Sequence, residues 1–218
     1  MLLYKGWLET RFRLLFALCW AGFCLLPWVP DYNPNRATVL AAVLSILLAG
    51  AGIATQPSFR APKGLHSSMY FTLSLPVSRF RLLAVRAGLG WLEMTAVIGA
   101  WYCGIWILYP AVSRTAAAMF EYAVTVVACA SGLYFIAVLL GTFLDEQWRM
   151  QCSMVIFPAL WWLSNHTPFP ASANIFRAMG EGVPLLTHTM PWTAMAFSLE
   201  LAAILFFAAL KVVQMREY

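Results

Sequence analysis

The sequence predicts an all-α, polytopic membrane protein with six transmembrane helices, on three observations. The first is composition. Of 218 residues, 62% are hydrophobic and 11% charged, and mean hydropathy is +0.74; a soluble domain carries roughly 25% charged residues. The second is segmentation. Apolar stretches approaching the roughly 20 residues that a bilayer helix needs alternate with shorter polar ones, leaving room for six spans and no sizeable soluble domain. The third is charge placement, because Lys and Arg resist translocation and mark the cytoplasmic side. With both termini inside, Lys5, Arg11, Arg13, Arg60, Lys63, Arg79, Arg81, Arg86, Arg149, Lys211 and Arg216 share one side, against Arg36, Arg114 and Arg177 on the other. That bias requires an even number of spans. The net charge of +5 is therefore topology information and argues against a nucleic-acid partner.

The chain reads as one transmembrane domain over 1–218. In residues 1–13, Leu3 and Trp7 share a helical face that Leu2, Tyr4, Leu8 and Phe12 broaden, while Lys5, Glu9 and Arg13 form the opposite stripe. This pattern predicts an amphipathic helix in the membrane interface; the alternative is an extension of the first span. Span 1 covers about 14–29 and is closed by Pro27 and Pro30, with Trp28 and Tyr32 at belt positions. It lacks a small-x-small cleavage site and is expected to be retained. Span 2, about 37–55, is rich in the small residues that let helices approach closely. Span 3, about 82–108, ends in the aromatic run WYCGIWILYP, and span 4 covers about 117–141. Span 5, about 150–164, is short and contains Pro158. Residues 165–191 are punctuated by Pro and Gly before span 6 at about 192–210. No internal repeat signals an inverted-repeat carrier.

Between spans 2 and 3 lies a basic loop over 56–81. It holds Arg60, Lys63, Arg79 and Arg81 and no acidic residue. After Gly64, the residues Leu65, Met69 and Leu73 recur every four positions, extended by Phe71 and Leu75, with His66 nearby. This is an amphipathic helical pattern. Pro76 cannot continue a helix, and Ser78 suits the N-cap of the next one. Arg79 and Arg81 then fall at headgroup level, where anionic membrane lipid favours them.

The string FTLSLPVSRFRLLAVRAG, from Phe71 to Gly88, resembles the loop between spans 2 and 3 of ABC-2 type ABC transporter permeases. In that family a cytoplasmic coupling helix ends in a leucine-rich L-P-V/I-S-R turn. The resemblance extends in architecture to the whole chain: 1–13 is similar to the family's elbow helix, and the stretch between spans 5 and 6 to its short re-entrant helices. It implies a permease subunit of an ATP-driven exporter in a prokaryotic cell (inner) membrane, working as a homo- or heterodimer with a second permease subunit. Two ABC ATPase subunits would dock on Leu65, His66, Met69, Phe71, Leu73, Leu75, Pro76, Ser78 and Arg79. This chain would bind no cofactor and be no enzyme; ATP and Mg would sit on the partner ATPase, consistent with the lack here of a GxxxxGK[ST] phosphate loop. Family members often carry an acid upstream and a Gly-Thr pair, where this chain reads RAPKGL from Arg60 to Leu65.

Glu93 and Glu200 fall well inside spans 3 and 6. A charge at that depth costs at least about 2.5 kcal/mol and is expected to face the protein interior or a cavity. Both are candidates for a translocation path or a subunit interface; the alternative is a protonated carboxyl bonded to a neighbouring helix. Glu93 lies two turns beyond Arg86, too far for direct pairing. Cys19, Cys24, Cys103, Cys129 and Cys152 form no disulfide or metal pattern. His66, His166 and His188 have no metal-ligand spacing. Ser131-Gly132 in span 4 invites comparison with intramembrane serine proteases, but no His lies deep in span 6 to activate the hydroxyl. A stand-alone secondary carrier or channel is the main rival reading, for which two mid-span carboxylates are few.

Overall fold

The computed structural model describes residues 2–25, 35–49, 79–108, 116–144, 146–168, 170–180 and 190–215. Among these residues all regular structure is helical: α1 (Leu2–Leu25), α2 (Asn35–Leu48), α3 (Arg79–Leu108), α4 (Ala116–Phe143), α5 (Glu146–His166), a 3-10 turn (Ala171–Ala173), α6 (Ile175–Gly180) and α7 (Trp192–Met215). Helices satisfy their backbone polar groups internally, which an apolar surrounding demands. The surface shows such a surrounding. Ile107 is 71% exposed, and Phe120, Val155, Phe207 and Ile204 are exposed to similar degrees. Side chains of this kind covering a helical bundle are suited to lipid, not water.

Among the described residues, three helices are long and apolar enough to cross a membrane: Leu83–Leu108, Ala116–Phe143 and Trp192–Met215. They coincide with expected spans 3, 4 and 6. The apolar parts of α1 and α2, Leu14–Leu25 and Arg36–Leu48, are shorter. Expected span 5 lies within the 21-residue α5; its length suffices, but Glu146, Gln147, Arg149 and Gln151 make its first two turns polar. No break separates the expected interfacial helix 1–13 from span 1, since α1 runs continuously from Leu2 to Leu25. α3 begins at Arg79, immediately after the expected cap. The expected docking residues Leu65, His66, Met69, Phe71, Leu73, Leu75, Pro76 and Ser78 lie outside the described residues.

α4 is the hub. It packs most extensively on α7 and also touches α2, α3, α5 and α6. In its most apolar window 61% of residues are buried, against 39% for α3 and 28% for α7. The α4–α7 seam is close because it is lined with small residues. A Cβ built on Gly132 would sit 2.7 Å from Ser198 Oγ. Ser198 Oγ donates to the Cys129 carbonyl at 2.8 Å and accepts from the Gly132 amide at 3.1 Å. Without a hydrophobic drive between helices in lipid, such van der Waals contact and hydrogen bonding supply the association energy. Phe135 and Phe206 extend the seam edge-to-face at 5.6 Å.

At the end of the bundle away from the α2–α3 loop, Asn174 organises the short elements. Its Oδ1 accepts the amides of Phe176 and Arg177, each at 3.1 Å, which caps α6. Its Nδ2 donates to the Ser164 carbonyl at 3.1 Å, at the end of α5. Five of the six α6 residues are buried, and the Tyr122 hydroxyl of α4 donates to the Met179 carbonyl. Short helical pieces thus occupy the stretch between spans 5 and 6.

Gly132→Val should lower the unfolding midpoint in detergent measurably, by about 1–3 kcal/mol of overpacking. Gly99→Ala, where an added Cβ meets nothing within 4 Å, should be neutral or stabilising. Equal midpoints for the two variants would remove the seam from its place in the fold.

Candidate functional site

The site begins with a helix end. The last four carbonyls of α2 have no intrahelical donor within Asn35–Leu48. Ser45 O receives the Ala49 amide at 3.2 Å. Ile46 O receives the Arg149 guanidinium, Nη1 donating at 2.7 Å. A cation at a helix C-terminus also complements the macrodipole. Arg149, on the first turns of α5, is 1% exposed and heads the fully buried side chains by size. Its stem passes α4 at Gly141, where an added Cβ would lie 3.0 Å from Arg149 Cδ.

Tyr134 of α4 lies within electrostatic reach of both Arg149 and Glu93. Its hydroxyl donates to the Ala87 carbonyl of α3 at 2.8 Å. One turn further, Gly90 lets α3 touch its neighbours: a Cβ there would lie 2.5 Å from both Leu48 O and Tyr134 Oη. Glu93 follows on α3, 6% exposed. Four helices therefore meet around one buried polar cluster: α2 through Ile46 and Leu48, α3 through Ala87, Gly90 and Glu93, α4 through Tyr134 and Gly141, and α5 through Arg149. A buried charge is tolerated only when acceptors or counter-charges surround it, and the Ile46 carbonyl is such an acceptor for Arg149. Sequence reasoning placed Glu93 correctly in the interior. It missed Arg149, which it read only as a topology marker, and Tyr134. The available signal was an Arg inside a helical stretch, QWRMQCSMVIF, whose flanks turn apolar.

Glu200 does not face the interior of the described bundle. It is exposed on α7, and neither of the two grooves described below has Glu93 or Glu200 in its wall. The cause is helical geometry at about 100° per residue. Ser198 and Ala202 take the inward positions, so Glu200, two residues from each, points roughly opposite. The two carboxylates thus belong to different environments. Arg79 opens α3, apart from the cluster's named residues.

Two apolar grooves flank this framework. One, of about 550 Å³, runs between α3 and α4 and is lined by Trp91, Gly99, Trp106, Phe120, Val124 and Leu199 among others. On its wall Trp91 Nε1 donates to Ser131 Oγ at 2.9 Å, and Ser131 donates to the Val127 carbonyl at 2.8 Å. Ser131 is thus held in a helix-packing contact, and the one described histidine, His166, is stacked on Trp162 and exposed. The second groove, of about 420 Å³, lies between α2 and α5, lined by Val39, Val43, Met154, Pro158, Trp161 and Phe176. No group of three or more His, Cys, Asp or Glu able to hold a metal occurs among the described residues. These walls suit hydrocarbon, with few polar groups to orient a hydrophilic ligand.

Arg149→Met should cost about 3–5 kcal/mol in detergent unfolding, the cost of breaking a buried charge arrangement from one side. Glu93→Gln/Arg149→Met should recover about 0.5–3 kcal/mol relative to additivity; strict additivity would mean that the two groups do not share one electrostatic environment. The chain matches no protein-family model, no curated protein and no solved structure.

Proposed function

We propose that this chain is the membrane-spanning permease subunit of an ATP-driven exporter of the ABC-2 type. One observation carries the reading: the sequence Phe71–Gly88, FTLSLPVSRFRLLAVRAG, which resembles the coupling-helix turn and basic span start of that family. The helix start at Arg79 is consistent with it, as are the three helices able to cross a membrane among the described residues and the short helical pieces before α7.

In this reading six spans cross a prokaryotic cell membrane with both termini inside, and residues 1–13 lie along the interface as an elbow. The loop 56–81 enters a groove on a separate ABC ATPase, with Leu65, Met69, Leu73 and Leu75 as its apolar contact face. Two ATPase subunits, carrying ATP and Mg, close on each other and push the loop. Work then passes to the spans where the loop's ends join α2 and α3. Arg149 is bonded to the last turn of α2, and Gly90 brings α3 against the same turn, so displacement of the loop reaches α4 and α5 through rigid contacts. An apolar or amphipathic cargo fits the hydrocarbon-like grooves better than a small ion does.

The test is co-expression with an ATPase encoded beside this chain. The two should co-purify, and Leu73→Asp/Leu75→Asp should release the ATPase by at least about tenfold, because two carboxylates cannot be buried unpaired in an apolar contact. Full association of the double variant, with coupled turnover, would defeat the docking reading. Transport by this chain alone in vesicles, driven by an ion gradient, would establish the carrier or channel alternative instead.

A further inference from the structure

We draw no further inference here: the strongest candidate, the apolar groove between α2 and α5 with Thr38 in its wall, carries none because nothing in the structure shows what covers it.

Discussion

Arg149 is only 1% exposed, and the bundle around it supplies partners for its charge. Its guanidinium reaches the open carbonyl of Ile46, its stem requires Gly141, and its charge is felt at Tyr134 together with that of Glu93. Each of these demands constrains a different helix. The α2 terminus must end beside α5, α4 must have no side chain at position 141, and α3 must come close enough to present the Ala87 carbonyl to Tyr134. In an apolar interior an unsatisfied charge is far more costly than an unfilled apolar contact. The cluster therefore sets the relative positions of α2, α3, α4 and α5, and apolar packing follows.

The rest of the bundle uses a different rule. Along α4 and α7 no charge is buried, and association depends on how near two backbones can come. Gly132, Ala128 and Ser198 make that approach possible, and the hydroxyl of Ser198 exploits it by bonding across the seam. Some polar atoms there have a close partner, as with Trp91 and Ser131 or Asn174 at the start of α6. Among the described residues a polar junction thus joins the last turn of α2 to α3, α4 and the start of α5, and small-residue contacts pack α4 on α7.

Much of this was legible from residues alone. Hydropathy located α3, α4 and α7 to within a few residues, because a membrane-length apolar run is a one-dimensional property. Pro76 and Ser78 marked the start of α3 for local reasons of backbone chemistry. The expected break near residue 13 is absent, since α1 continues through it; an amphipathic pattern does not by itself supply a helix stop, and no Pro or Gly stands between Trp7 and Gly22. The fifth span was expected from its apolar half, MVIFPALWWL, and its polar first turns turned out to house Arg149.

By itself, then, the sequence determined the helical character of the described residues, the long apolar helices among them and the basic charge of the 56–81 segment, since all of these depend on neighbouring residues and on how many of them are apolar. Only the tertiary structure decided that Glu93 is buried and Glu200 exposed, and that Arg149 is the bundle's interior cation. Those outcomes depend on which face of each helix meets which neighbour. Glu200 turned outward because Ser198 and Ala202 fit the α4 seam, and Arg149 turned inward because α2 ended with a carbonyl in need of a donor. Neither partner is near in sequence: 66 residues separate Gly132 from Ser198, and 103 separate Ile46 from Arg149.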